Sequence, residues 1–372
     1  MTASAAPVSL FTPLTLRGVT FRNRIGVSAM CQYSAVDGMV NDWHLTHLGA
    51  RAAGGAGLVI MEATGVVPEG RITPGCTGIW SDAHAAAMKR ITDFIASQGA
   101  VAGIQIAHAG RKAACDLPWR GGNPLALADG GWQTVAPSAL PFQDGHPVPK
   151  EMTVDDIRRT QDAFVAAARR AVGAGFKFIE LHGAHGYLMH EFFSPLSNRR
   201  TDAYGGSFEN RARFILETAR AVRAEIPADV VLAARLSCSD WTEGGVTIDD
   251  SVALASALSQ AGVDMIDCSS GGNVADAKIP VGPGYQVPFA AQIRRDAGVA
   301  TAAVGMIAEA RQADEIIRKG EADMALLARA FLRDPYWAVH AAIELGAEAD
   351  IPLQYLRGYH LSRTAAPSKK AG

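Results

Sequence analysis

The sequence lacks the features by which several classes of protein are recognised. Its 372 residues carry 35 Lys and Arg against 37 Asp and Glu, so no excess of positive charge favours nucleic acid or an anionic membrane surface. No apolar run reaches the roughly 18 residues of a membrane span, and the stretch MTASAAPVSLF has no basic region typical of a secretory signal. We therefore expect a cytoplasmic protein with no nucleic-acid partner and no membrane partner.

Cysteine is also scarce, and the spacing of the cysteines does not suggest pairs. The five cysteines are Cys31, Cys76, Cys115, Cys238 and Cys268. Their number is odd, they are widely separated, and none forms a C-x-x-C pair, which argues against a disulfide framework and against a zinc ribbon. We expect reduced thiols.

What the sequence does contain is a regular alternation of short apolar runs and longer helical patterns. The predicted strands are 24–29, 57–63, 101–107, 176–181, 230–236, 265–268, 300–304 and 324–327. The predicted helices are 82–98, 154–174, 208–225, 248–261, 288–296 and 309–319, with a final helix beginning at Asp334-Pro335. Ser207 stands where a helix N-cap is expected.

Eight such units without a break in composition predict one parallel α/β domain over residues 1–372. A doubly wound sheet is the alternative, but no G-x-G-x-x-G follows the first strand. Eight units favour a closed (β/α)8 TIM barrel. Residues 110–149, after the third strand, are too many for a plain loop and predict an ordered lid or small excursion. Residues 365–372 are expected to form a frayed tail.

Hydrogen-bonding side chains are concentrated where the predicted strands end. In strand order these residues are Ser28 to Tyr33, Glu62, Gln105 and His108, His182, His185 and Tyr187, Arg235, Ser269 and Ser270, Gly305, and Arg329. The carboxyl ends of barrel strands converge on one face, where such folds carry their sites. We therefore expect a ligand cup.

The last two strand ends suggest what the cup holds. Gly305 and Ala328-Arg329 lie where many barrels bind phosphate, and Arg235 supplies a second cation. Gln105 offers both a donor and an acceptor, which suits a planar imide such as the pyrimidine edge of a flavin.

Three readings of His182-x-x-His185 stay open at this point. The pair could be half of a metal site, two core residues, or two donors aimed at a substrate. A metal would need further ligands; His108 could contribute, but no Asp or Glu ends a neighbouring strand with suitable spacing, so we expect none. His44, His47 and His190 are expected to be structural.

Four ordered motifs resemble the Old Yellow Enzyme family. They are residues 28–33 (SAMCQY), 105–112 (QIAHAGRK), 182–187 (HGAHGY) and 204–211 (YGGSFENR). The cysteine in the first motif and residues 354–358 (QYLRG) resemble the thermophilic-like class of FMN-dependent ene reductases. Residues 118–132 are similar to its xenobiotic reductase branch. The resemblance runs from about residue 10 to residue 359.

The resemblance implies a non-covalent FMN across the barrel mouth. The residues it implies against the flavin ring are Ser28, Ala29, Met30, Cys31 and Ala63. Gln105 would pair with the pyrimidine edge, and Arg235 would lie near N1 and C2=O. Gly305, Ala328 and Arg329 would hold the phosphate. Cys31 would modulate the flavin potential rather than act as a nucleophile. Two residues depart from the class: Ala29 replaces a common proline and Gln32 a common methionine.

The implied chemistry is ene reduction by a ping-pong route. NADPH or NADH delivers hydride to flavin N5, and an α,β-unsaturated carbonyl compound then takes it up. Tyr33, His182, His185 and Tyr187 would bind the substrate, with the histidines donating to its carbonyl oxygen and Tyr187 supplying a proton.

The resemblance also implies an assembly, and it leaves competing functions open. A homodimer or homotetramer is expected, in which Arg357 or Tyr359 could reach a neighbouring active site. Arg111 and Lys112 could steer a pyridine-nucleotide phosphate or form a solvated pair. The competing readings of the whole chain are a metal-dependent barrel hydrolase, a non-catalytic flavin-binding barrel, and a dienoyl-CoA-reductase-like enzyme, whose cysteine cluster and further domains this sequence lacks.

Overall fold

Eight parallel strands close into a barrel in the computed structural model, which describes residues 8–363 and, for side chains, residues 8–359. The strands are β1 (Ile25–Val27), β2 (Leu58–Gly65), β3 (Val101–Ala107), β4 (Phe178–Gly183), β5 (Val231–Ser237), β6 (Met265–Ser269), β7 (Ala300–Ala303) and β8 (Met324–Leu327). Each pairs with its neighbours in the chain, and β8 closes on β1. The predicted (β/α)8 barrel is confirmed, and the doubly wound alternative is excluded. The predicted tail lies outside the described residues.

Helices follow the strands and surround the barrel. They are α1 (Asp42–Ala53), α2 (Asp82–Ser97), α3 (Val154–Gly173), α4 (Leu188–Phe193), α5 (Phe208–Glu225), α6 (Ile248–Gln260), α7 (Val287–Ala297), α8 (Ala310–Arg318), α9 (Arg329–Arg333), α10 (Trp337–Leu345) and α11 (Leu356–Arg363). Ser207 Oγ accepts from the Asn210 N–H at 3.4 Å, as expected of an N-cap. No helix within residues 8–363 is long and apolar enough to cross a membrane.

Some boundaries differ from the prediction. Strands β3 and β8 have the predicted limits, but β4 begins at Phe178 and runs to Gly183, two residues later than predicted at both ends. The buried Phe176 extends the apolar run without joining the barrel. The sequence also did not predict α1, α4, α9 and α11. Helices α4 and α9 have six and five residues, too few for a helical period to be visible.

The barrel interior is apolar at its amino end and polar at its carboxyl end. A short hairpin, Leu14–Leu16 with Val19–Phe21, brings Phe21 under the barrel, where its ring meets Phe178 edge-on at 6.2 Å. Above it lie Leu58, Ile60, Val231, Ala233, Met265, Met324 and Leu326, all buried. This plug keeps water from the base of the polar end.

Residues 110–149 lie between β3 and α3 and are folded against the β2 loop. They contain 3-10 turns at Gly110–Lys112, Pro118–Arg120 and Leu127–Asp129, and the strand Val135–Ala136 pairs with Lys150–Glu151. Trp132 Nε1 donates to the Glu69 carbonyl at 2.8 Å. The Arg71 guanidinium lies over the rings of both Trp80 and Trp132, at 5.3 and 5.1 Å. A role for this segment as a lid stays a prediction.

Candidate functional site

The phosphate end of the cup is a cavity of about 380 Å³. Four residues predicted from the sequence line it together: Arg235, Gly305, Ala328 and Arg329. Gly305 has φ of +114°, and a Cβ there would lie 2.6 Å from Gln286 Nε2, so the position needs glycine. The side chain of Arg329 is exposed and forms no hydrogen bond or ion pair with any residue the structure describes. Its charge is free for an anion.

Gln286 was not predicted from the sequence, because no motif surrounds it. Its Nε2 donates to the Val304 carbonyl at 2.9 Å, and its Oε1 accepts from Ser270 Oγ at 2.6 Å. The buried amide therefore joins the end of β6 to the end of β7. It supports the backbone of Gly305 in the left-handed conformation.

A polar layer lies beneath the cup, and half of it was missed in the sequence. Arg235 Nη1 donates to Ser28 Oγ at 3.1 Å, and Arg235 Nε lies 3.1 Å from Asp267 Oδ2. Gln105 Nε2 donates to Glu180 Oε1 at 2.7 Å. Glu180 and Asp267 precede His182 and Ser269 by two residues on their strands, and period-two alternation would have placed them inside the barrel.

The loop after β1 brings Cys31 and Tyr33 to the side of the cup. The hydrogen bond to Cys76, followed by burial, raises the pKa of the Cys31 thiol well above its ordinary value. Cys31 also meets the backbone of Ala63. A protonated thiol agrees with the expectation that Cys31 is not a nucleophile. Cys76, to which the sequence assigns no role, is the partner of Cys31.

Ala29 and Met30 are packing residues of the same loop. Ala29 packs against the apolar plug, and Met30 packs against the larger core between strands and helices. The Tyr33 ring meets Trp119 of the 110–149 segment edge-on at 5.9 Å. The segment therefore forms one wall of the cup.

The end of β4 places three rings together. The His182 ring lies 5.2 Å from that of His185 and 5.0 Å from that of Tyr187, with both contacts edge-on. Burial lowers the pKa of both histidines well below the ordinary value, with the charge of Arg235 adding to the effect. Burial raises the pKa of Tyr187. The group therefore contains two neutral imidazoles and a protonated phenol.

The two imidazoles are held differently. His182 Nδ1 is buried and has no hydrogen-bond partner. His185 Nε2 lies 2.7 Å from Ser269 Oγ, and the His185 N–H donates to Ser237 Oγ at 2.9 Å. His185 has φ of +62°, an uncommon conformation for a residue with a Cβ.

Lys112 holds this strained turn. Its Nζ donates to the carbonyls of His185 and Gly272, both at 2.8 Å, and lies over the rings of Phe142 and Tyr187 at 4.6 and 5.2 Å. Arg111 is buried and donates to the Asn273 carbonyl at 2.7 Å. The reading of Arg111 and Lys112 as a solvated pair is therefore wrong.

The other histidines have local partners. His108 Nδ1 accepts from the Gly110 N–H at 3.0 Å, His190 Nε2 lies 3.0 Å from Asp240, and His44 Nε2 lies 3.4 Å from Glu62. Within the part of the chain described, no group of three His, Cys, Asp or Glu side chains could hold a metal ion.

The donor set fits FMN. A glycine cradle with a free arginine suits a phosphate, and a neutral amide with a cation suits a flavin pyrimidine. The buried Nδ1 of His182 has no hydrogen-bond partner among the described residues. Arg357 of α11 is exposed and is not among the residues lining this cavity.

Comparisons with known proteins point to the same chemistry. The sequence profile of the family described as "NADH:flavin oxidoreductase / NADH oxidase family" matches residues 9–348. The NADPH dehydrogenase of Geobacillus sp. (strain WCH70) is 50% identical over 352 residues, which are 94% of this chain and 98% of that protein. The NADPH dehydrogenase of Bacillus subtilis (strain 168) is 46% identical, with 94% and 99% covered.

Among solved structures, morphinone reductase superposes with a TM-score of 0.75 at 29% identity, covering 94% of this chain and 93% of that one. It has also been solved in complex with tetrahydroNAD, in a structure that matches with a TM-score of 0.74 at 28% identity and 92% coverage of both chains.

Proposed function

The chain belongs to the NADH:flavin oxidoreductase / NADH oxidase family and is an FMN-dependent oxidoreductase, and from this membership we propose that it reduces the C=C bond of α,β-unsaturated carbonyl compounds. The observation that carries the proposal is the group of three rings, His182, His185 and Tyr187, at the cup. Bound FMN would supply the hydride chemistry, with NADPH or NADH as the reductant and the alkene as the oxidant in a ping-pong cycle.

The histidines act as donors to the substrate oxygen. Because burial keeps both imidazoles neutral, each has one N–H to donate and cannot give up a proton easily. Two N–H groups aimed at a carbonyl oxygen stabilise the negative charge that develops there when hydride reaches the β-carbon. Tyr33 closes the substrate end, beside Trp119.

Tyr187 delivers the proton to the α-carbon. Burial raises the pKa of its phenol, so the group is protonated at neutral pH, and it is adequate against a strongly basic carbanion. Arg235 supplies the fixed cation at the cofactor. Gly305, Ala328 and Arg329 would hold the phosphate, while Ser28, Ala29, Met30, Cys31, Ala63 and Gln105 would contact the flavin ring.

An anaerobic two-step experiment tests the proposal. The purified protein should be yellow, release FMN on denaturation, lose its visible absorbance with NADPH, and regain it with cyclohexenone. Re-oxidation by ferricyanide is the control for a competent cofactor. If ferricyanide restores the absorbance and cyclohexenone does not, the protein remains a flavin oxidoreductase but ene reduction is wrong.

The proposal extends to the assembly and to its place in the cell. Arg357 forms no hydrogen bond or ion pair with the described residues of its own chain, which suits a contact with a second copy in a homodimer or homotetramer. A cytoplasmic location agrees with five cysteines that are all free in the structure.

A further inference from the structure

Four buried polar residues occupy neighbouring strands directly beneath the cup. Gln105 is in register with Glu180, and Arg235 is in register with Asp267. Their exposed fractions are 2%, 0%, 7% and 1%. We call these four residues the buried layer. The apolar plug lies below it, so their charges act in a medium of low polarity.

The buried layer contains two carboxyl groups and one guanidinium. Arg235 Nε is 3.1 Å from Asp267 Oδ2, while Glu180 meets only the amide of Gln105. Burial raises the pKa of Glu180 to about 8, and the charge of Asp267 adds to this. One cation can balance one carboxylate. Burial also raises the pKa of Asp267, and the charge of Arg235 opposes that shift. Because Asp267 and not Glu180 lies at ion-pair distance from Arg235, we assign the negative charge at neutral pH to Asp267 and take Glu180 as neutral.

The pairing of Arg235 and Asp267 is incomplete. Although the two groups are at ion-pair distance, neither Arg235 Nε nor the two Asp267 oxygens form a hydrogen bond, and Glu180 Oε2 is also unpartnered. The Asp267 carboxyl group therefore lies directly against the guanidinium of Arg235. Its charge acts on that cation and is not spread over other donors among the described residues.

We infer that Asp267 is a positioning residue that, through Arg235, sets the reduction potential of the bound FMN. The inference rests on the proposed contact between Arg235 and the flavin pyrimidine. A bare guanidinium would favour the reduced cofactor, which carries extra negative charge at that end. The Asp267 carboxylate partly cancels the field of Arg235 and so keeps the potential lower, which makes the reduced enzyme a better hydride donor to an alkene.

Glu180 gives the layer a dependence on pH. The groups that act on it are Asp267 of β6, Arg235 of β5 and Gln105 of β3, and His182 lies two residues further along β4. Among the other barrel strands, β1 is followed by Ser28, and β2 carries Glu62, which is engaged by the Gln32 N–H and by His44. Strands β7 and β8 contribute Ala302 and Leu326 of the apolar plug. When Glu180 ionises above about pH 8, a second negative charge joins the layer. The potential of FMN should then fall further.

The test is the midpoint potential of bound FMN, measured anaerobically against a reference dye without any alkene. Asp267→Asn should shift the potential to a more positive value at pH 6.5 and at pH 9.5. Glu180→Gln, the same chemical change two strands away, is the matched control: it should leave the potential unchanged at pH 6.5 and raise it at pH 9.5. Asp267→Glu, which restores the charge, should return the potential toward that of the wild type.

The outcomes are separable from the fate of the proposed function, since no substrate is present. An Asp267→Asn protein that retains FMN at an unchanged potential overturns the inference. If that variant does not fold, the wild-type protein and Glu180→Gln decide, and equal potentials at pH 9.5 overturn it. A shift in potential in a protein that cannot reduce cyclohexenone supports the inference while ene reduction fails.

Discussion

The two histidines of the cup differ in what holds them. His182 lies on β4 itself with an unpartnered Nδ1, whereas the ring of His185 is bonded to Ser269 from a strained turn. Both lie against Arg235, whose charge helps to keep them neutral. Their roles as donors can therefore be tested separately.

We expect His182→Ala and His185→Ala each to weaken binding of phenols and to slow alkene reduction. The loss of one oxyanion donor costs about 2–4 kcal/mol of transition-state stabilisation. Stopped-flow measurement of flavin re-oxidation by cyclohexenone gives the effect, and reduction by NADPH is the internal control. A comparable slowing of both half-reactions would contradict the donor role, as would metal lost from the variants.

Tyr187→Phe keeps the ring, whose centroid lies 5.0 Å from that of His182, but removes the hydroxyl group that would donate the proton. A general acid contributes typically 10²-fold or more, so re-oxidation by enones should slow by about 10²-fold. Reduction by NADPH should be nearly unchanged, because that step needs no proton from the protein. The rates of the two half-reactions, measured on one preparation, decide this; an unaffected enone rate would show that another group or water supplies the proton.

Between elements, Lys112 connects loops that are distant in the chain. Its ammonium joins the turn after β4 to the turn after β6, 73 and 160 residues away. The same charge lies between Phe142 of the 110–149 segment and Tyr187. One side chain therefore secures the strained His185 turn and the wall above it.

Lys112→Met has nearly the same length but cannot donate. Two carbonyls lose a charged donor, at about 1–3 kcal/mol, while relief of the burial that lowers the pKa of Lys112 to about 8 offsets part of the loss. We expect a lower unfolding midpoint and slower enone reduction. Lys319→Met, which removes an exposed ion pair with Glu315, is the matched control and should change neither. Equal effects from both substitutions would refute the role of Lys112 in holding the His185 turn.

For the whole molecule, buried titratable groups shape stability against pH. Burial lowers the pKa of His47 to about 3 and of His108 to about 4. Unfolding lets these groups take up protons below about pH 6.5, so the stability they contribute is lost as the pH falls toward those values. Burial raises the pKa of Glu180 and Glu191 to about 8, so their contribution is lost as the pH rises from about 4.5 to 8.

The stability of the FMN-bound protein should therefore be greatest near pH 6.5. His182 and His185 have lowered pKa values as well, so the histidine effect is the larger one below that pH. Unfolding midpoints by calorimetry between pH 4.5 and 8.5 measure the curve. Glu191→Gln should flatten the alkaline side and shift the maximum to a higher pH, because one of the two carboxyl groups that oppose the histidine effect is removed. A wild-type maximum at pH 8 or above would contradict the assignment of the buried carboxyls.

The sequence by itself determined the barrel and the two ends of its cup. Apolar runs and helical periods are local properties, so eight strands could be read directly, and β3 and β8 have the predicted limits. Glycine at 305 and arginine at 329 marked the phosphate end, and the HGAHGY motif marked the three rings. The sequence did not predict short elements such as α4, because six residues do not span enough turns to show a helical period.

Only the tertiary structure decided which groups meet. The ion pair of Arg235 with Asp267, the hydrogen bond of Cys31 to Cys76, and the clamp of Lys112 on His185 join residues on different strands or loops. Their charges and pKa values depend on burial, which exists only once the barrel has closed over the apolar plug. The sequence gives the polar and titratable groups of the protein. Closure of the barrel decides which of these groups are shielded from water and which partner each of them has.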